Sequence, residues 1–470
     1  MAEELWRKDA STLATMIRAR DVSSAEVVEA HLARIDAVNP ALNAVVRVLA
    51  EPARESAAAA DRALAAGEKV GPLHGVPFTV KENVDLAGTP TTWGVPALAE
   101  AVAPIDAPIV ARLRAAGAIP IGRTNLPDMA LRVHTDSSLH GLTRNPWRAD
   151  RTTGGSSGGE AVALATGMSP LGLGNDLGGS LRNPAHCCGI SALKPTTNRL
   201  PMATVIPPED PTLAAQLMSV DGPMARRVAD LRLALALMAG PDPRDPFCVP
   251  APLEQPEQPG AGPLRVALVA EPPGGPTDPG IAAAVRLAGA HLAAAGYEVV
   301  EVTPPAYEQA VDCWGRTLIT DLRAMMPVLT QIMGADAVTF LSHAESAYPT
   351  LDTAAIAMMY VERHGIARAW SAFMAEHPIV VSPVWTQPAF EVGFDVASPD
   401  APMATLSLMR PVLPANLLGL PSAVVPCGMA DGMPVGVQCI GRRFREDQCL
   451  AAAEAIERAT GGTTPIDPTW

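Results

Sequence analysis

Residues 154–180 read GGSSGGEAVALATGMSPLGLGNDLGGS, two glycine and serine turns on either side of an apolar run. The first turn is Gly154-Gly155-Ser156-Ser157-Gly158-Gly159 and the second is Gly178-Gly179-Ser180. Glycines flanking hydroxyls let backbone N–H groups close on a ligand with no Cβ in the way. A flexible linker has a similar composition, but linkers do not precede a helix-like apolar run and then recur as GGS with the serine 24 residues on. The stretch therefore reads as loops built into a folded core.

Outward from it, segments of strand and helix character alternate. Ser23 and Glu26 have capping-box spacing, and Val27, Val28, Leu32 and Ile35 then share one helical face that Pro40 is expected to end. A strand is expected over 42–49, a helix over 50–66 closed by Gly67, a strand over 76–80, a helix over 107–116 and a strand over 119–122. Residues 241–263 hold eight prolines in 23 positions and read as a surface loop. The pattern then restarts with a strand over 264–270, a helix over 280–295 and a strand over 298–302, either a second domain or a continuation of one sheet. Such alternation predicts an α/β protein, a layered sheet with helices on its faces.

Composition sets the outer limits. A chain of 470 residues, 48% of them hydrophobic, is long enough to bury a substantial core and is no peptide module or fibre. Gly 38 and Pro 47 together stay below the roughly 25–30% of low-complexity chains. A net charge of −14 argues against a nucleic-acid footprint, which needs a basic face. Seven cysteines without a CxxC suggest reduced thiols, and the charged N-terminus lacks a signal peptide's apolar core. The uncharged run 161–175 is too short and glycine-rich to span a bilayer. A cytoplasmic protein without membrane or nucleic-acid partners is expected.

Three chemistries compete for the two turns. Phosphate binding lacks its motif, since no GxxxxGK[ST] occurs and Gly172-x-Gly174 misses GxGxxG by one residue. A nucleophile elbow is satisfied in letters by Gly154-Gly155-Ser156-Ser157-Gly158, but residues 147–153 are too polar for the buried strand an elbow must follow. The third uses a lysine. A serine hydroxyl is a poor nucleophile until its proton is removed, and a neutral amine in a desolvated site can remove it. Lys81 ends the apolar run Val76-Pro77-Phe78-Thr79-Val80, which could carry its stem inside; the ordinary fate of a lysine is to sit in solvent.

Six segments in a fixed order then bear a resemblance: Gly75-Val-Pro-Phe-Thr-Val-Lys81, Thr124-Asn125, Thr143-Arg-Asn-Pro-Trp147, the GGSSGG turn, Gly178-Gly-Ser-Leu-Arg-Asn-Pro184 and Leu193-Lys-Pro-Thr196. With Asn416-Leu-Leu-Gly-Leu-Pro421 and Gly432-Met-Pro-Val-Gly-Val-Gln438 they resemble the amidase signature family over nearly the whole chain. The resemblance implies one domain over 1–470, with a mixed central sheet covered by helices on both faces and a signature core over 70–200. It implies Ser180 as nucleophile, Ser156 as relay serine following a cis peptide from Gly155, and Lys81 as base. An oxyanion would be met by the N–H groups of Leu177, Gly178, Gly179 and Ser180. Gly155, Ser157, Asp176 and Arg182 would brace the loops or lie near substrate.

The expected activity is hydrolysis of the C–N bond of small aryl or alkyl amides through an acyl-enzyme, with esters or carbamates sharing the route. No metal or organic cofactor is required, and homo-oligomerisation is left open. Two alternatives stand beside this: the glutamine-hydrolysing subunit of a tRNA-dependent amidotransferase, and a binding protein that keeps the fold without the chemistry. Glu82, Arg123 and Asn175 depart from the family's usual aspartate, lysine and threonine. His186-Cys187-Cys188 reads as buried small residues rather than a metal site. Methionines 325, 326, 333, 358 and 359 read as core filler, the alternative being an adaptable pocket wall. They lie in 311–375, where the resemblance is weakest and specificity is expected to reside.

Overall fold

The computed structural model describes residues 4–254, 262–468 and 470. Eleven of its strands join in one sheet: β1 Val45–Val48, β2 Pro77–Lys81, β3 Ile119–Thr124, β4 Leu171–Asp176, β5 Ser191–Lys194, β6 Val220–Ala225, β7 Arg265–Leu268, β8 Glu298–Glu301, β9 Ile379–Pro383, β10 Ser422–Ala430 and β11 Met433–Gly441. Their spatial order is β1-β3-β2-β4-β6-β5-β10-β11-β9-β7-β8. The sheet is mixed: β2 runs parallel to β3 and β4, and β7 runs parallel to β8 and β9, while the other pairs are antiparallel. Because β7 and β8 pair onto the same sheet through β9, the segment after the proline-rich stretch continues one domain and does not begin a second.

Both faces of the sheet are covered. Phe78, Val80, Leu173, Leu193 and Val381 pack with apolar residues of helices Ala10–Ala19, Pro108–Ala115, Val228–Met238 and Glu446–Thr460 on one side. Ala192, Val424 and Ile440 pack on the other with α1 Gly158–Ala165, α2 Arg182–Cys188 and the long helices α3 Tyr307–Ile332 and α5 Thr353–Glu376. Strand side chains alternate between faces. Phe78 and Val80 therefore go to the first core, and Thr79 and Lys81 turn toward α1, which fixes the side on which a site can form.

Local structure departs from expectation at Pro40 and at Met358. The capping box at Ser23 and Glu26 is present, but the helix runs through Pro40 to Leu42. Pro40 forfeits one amide donor near the helix end, where Asn43 N–H still reaches Asn39 O at 2.8 Å. The uncharged run 161–175 divides into the end of α1 and most of β4. No helix or strand forms over 241–254, whose backbone is held by Arg112 donating to Gly240 O and Pro241 O and by Arg199 donating to Ala251 O; residues 255–261 of the proline-rich stretch lie outside the described residues. Met333 and Met359 are core residues, but Met358 is 61% exposed on α5.

Candidate active site

Lys81 is the last residue of β2, completely buried, and its Nζ lies 2.7 Å from Ser156 Oγ and 2.6 Å from Asn175 Oδ1. Burial pushes its amine down to about 7 against the attraction of Asp221, Asp176 and Glu160. The same desolvation lifts Glu160 and Asp221 to about 7. Glu160, on α1, receives hydrogen bonds from Thr79 and, at 2.7 Å, from Thr124, so it locks β2, β3 and α1 together directly beneath the lysine's strand.

The peptide between Gly155 and Ser156 is cis. Gly155 is obligatory there, because a Cβ would lie 2.7–2.9 Å from the backbone of Arg132, Val133 and His134. No strand precedes the turn, which removes the structural context a nucleophile elbow requires. Ser157 N–H donates to Ser180 O at 3.2 Å, drawing the second turn against the first. Asn183 bridges the two as well, its Nδ2 donating to Gly178 O at 3.1 Å and Gly155 O at 3.4 Å while Trp385 Nε1 holds its Oδ1 at 2.9 Å.

Asp176 and Arg182 brace the second turn. Arg182 grips Asp176 through Nε and Nη2 at 3.0 and 3.1 Å, and Asn416 Nδ2 donates to the same carboxylate at 2.8 Å. Arg182 also reaches Gln438 Oε1 at 2.9 Å and Asn416 Oδ1 at 2.5 Å. This buried cluster holds the Asp176 carboxyl well below the usual carboxylate range despite its desolvation. Asp176 Oδ1 also accepts from Gly179 N–H at 2.7 Å. Of the four N–H groups expected around an oxyanion, Gly179 is thus engaged, and those of Leu177, Gly178 and Ser180 have no acceptor among the described residues.

Ser180 is 7% exposed and opens on a largely apolar cleft. Val133, Trp314, Leu318, Phe340 and Tyr348 form much of its wall, supplied mainly by α3 and by α4 Ala335–Ser346. Arg132, also in the lining, is spent on Asp395 through two bonds of 2.7 and 3.0 Å. None of Met325, Met326, Met333, Met358 and Met359 lines this cleft.

Other expected residues fall as follows. Glu82 Oε2 accepts from Thr92 and lies 2.6 Å from His140 Nε2, and its charge, with that of Asp85, attracts the buried Arg123 guanidinium, so two of the three departures form one electrostatic cluster. The third, Asn175, contacts Lys81 itself. His186, Cys187 and Cys188 are buried in α2, where burial pushes both thiols up, and no group of three metal-ligating side chains occurs among the described residues. Glu160, Asn183, Asn416, Gln438 and Trp385 were not marked by sequence reasoning. Gln438 and Asn416 lie inside the motifs that carry the resemblance, but their partners are more than 200 residues away in the chain.

Lys81, buried at the end of β2, thus contacts Ser156 of the first glycine turn, while Ser180 of the second turn lines an apolar cleft. The Amidase family model matches residues 26–450, and the chain belongs to that family. An indoleacetamide hydrolase of Bradyrhizobium diazoefficiens is 43% identical over 463 residues, covering 97% of this chain and 87% of its own length. A glutamyl-tRNA(Gln) amidotransferase subunit from Synechococcus sp. is 34% identical, covering 98% of this chain and 96% of its own. The structure of 6-aminohexanoate cyclic dimer hydrolase with substrate superposes with a TM-score of 0.83 at 30% identity, covering 100% of this chain and 98% of that one. The protein is an amide hydrolase.

Proposed function

We propose that the chain hydrolyses small primary amides of aryl-substituted acids through an acyl-enzyme on Ser180, with Ser156 as relay and Lys81 as base. The observation that carries this reading is the contact of a desolvated Lys81 amine with Ser156 beside an apolar, serine-floored cleft. An amide oxygen only accepts, so Asn175 Oδ1 takes one N–H of Lys81 and leaves the lone pair of the neutral amine for the Ser156 hydroxyl. Ser156 passes its proton to Lys81 and takes one from Ser180, whose oxygen attacks the amide carbon.

The N–H groups of Leu177, Gly178 and Ser180 meet the oxyanion, where losing one donor typically costs about 2.7–4 kcal/mol. Protonated Lys81 returns the proton through Ser156 to the leaving nitrogen, ammonia departs, and water releases the acid by the same steps. Esters and carbamates fit the same acyl route. The apolar wall and the similarity to an indoleacetamide hydrolase together favour an aryl acyl group.

Glutamine is disfavoured as substrate, because its α-carboxylate needs a cation and Arg132 is already paired with Asp395. The purified chain alone, offered indole-3-acetamide, phenylacetamide, acetamide and glutamine, should show kcat/KM at least about tenfold higher for the two aryl amides, the worth of burying an aryl group in such a wall. Preferential hydrolysis of glutamine would replace this reading with the amidotransferase one.

A further inference from the structure

Trp314 stands apart from the rest of the cleft wall. It belongs to α3, is 4% exposed, and its Nε1 donates to Leu177 O at 3.1 Å. Leu177 C=O and Gly178 N–H are the two ends of one trans peptide and point in opposite directions. An indole that holds the oxygen on one side therefore turns the Gly178 N–H to the other. That N–H has no acceptor among the described residues. The ring also lies close enough to the loop that a Cβ on Gly178 would sit 2.5 Å from Trp314 Cζ2, so beside this indole only glycine fits at 178.

The same ring lines the cleft beside Ser180. Asn183 fixes the next carbonyl, Gly178 O, from the opposite part of the fold. The two peptides on either side of Gly178 are thus anchored by their oxygens, one from the signature core and one from the helical wall.

We propose that Trp314 is a positioning residue for amide hydrolysis: its indole N–H sets the orientation of the Leu177–Gly178 peptide and so aims the Gly178 N–H at the oxyanion. The proposal rests on the reading that the oxyanion forms at Ser180. It makes one side chain serve both the acyl wall and the stabilisation of the tetrahedral intermediate, and a wall residue becomes a determinant of kcat as well as of KM.

The test compares Trp314→Phe with replacement of Trp314 by 3-benzothienylalanine, which keeps the bicyclic shape and exchanges N–H for sulfur. With phenylacetamide as substrate, both replacements should lower kcat by about ten- to a hundredfold, less than outright removal of an oxyanion donor. The isosteric one should leave KM within about twofold. Affinity for benzylboronic acid, which becomes tetrahedral on a nucleophilic serine, should fall by a similar factor, and affinity for the product phenylacetate should hold. An isosteric replacement with unchanged kcat, or equal losses of boronate and phenylacetate affinity, would reduce Trp314 to a wall residue and overturn the proposal. Retained turnover in Ser180→Ala would instead count against the underlying reading, so the two failures are distinguishable.

Discussion

The strand end and glycine turns that carry Lys81, Ser156 and Ser180 and the helices that wall the cleft are built on opposite principles. Around the loops, buried polar groups are tied into a network: Glu160 to Thr79 and Thr124, Asp176 to Arg182 and Asn416, Asn183 to both glycine turns. Removing one member of such a network leaves its partners buried and unpaired, so the region tolerates little change. In α3 and α4 the contacts with the cleft are apolar, ion pairs such as Arg316 with Asp312 lie toward solvent, and Val328 on α3, like Met358 and Val361 on α5, stays exposed. A wall of this kind can be resized without disturbing the sheet. On the proposed mechanism the difference separates bond-breaking from acyl selection, with Trp314 where the two meet.

The largest effect is expected in the polar core. Lys81→Met should lower kcat by about 10²–10⁴-fold, the range of a lost general base, and should do so equally for phenylacetamide and acetamide. A loss confined to one substrate would place Lys81 in recognition. In the proposed mechanism the base is the neutral Lys81 amine, whose titration burial lowers to about 7. Below that pH it is protonated and idle, so kcat/KM should climb as pH rises through about 7 and level off above it. A profile flat down to pH 5 would contradict the assignment.

A smaller effect is expected from the wall. Phe340, on α4, is 4% exposed and lines the cleft. Phe340→Ala should raise KM for phenylacetamide about tenfold, leave kcat nearly unchanged and spare acetamide. Equal effects on both amides would mean that the wall supports the loops generally and that the two regions are not separable.

The sequence displayed the core far better than the wall, for a physical reason. Lys81, Ser156 and Ser180 lie in short local motifs, where glycines needed for close backbone approach surround the reacting groups. The braces were harder to see because Asn416 and Gln438 act across more than 200 residues, and only the folded sheet brings them to Arg182. Asn175 appeared as a departure from a pattern, and its meaning emerged only when its oxygen was found on Lys81 Nζ. Gly179 looked like an oxyanion donor by position, yet Asp176 already holds its N–H. Trp314 carries no signal of its own, since a lone tryptophan on an amphipathic helix reads as core. The fold class followed from the alternation of elements, but the pairing of β7 and β8 onto the signature sheet did not, because strand order is set by contacts that no local period records.

In the proposed mechanism Ser180, activated through Ser156 by Lys81, is the residue that bonds to the acyl group. Intact-mass and peptide-mapping measurement of fluorophosphonate labelling tests it most directly in the folded protein, alongside the Ser180→Ala and Lys81→Met variants. One phosphonyl group per chain is expected on Ser180, none in Ser180→Ala, and much slower labelling in Lys81→Met. Labelling at Ser157, or labelling of Ser180 at an undiminished rate without Lys81, would contradict this mechanism.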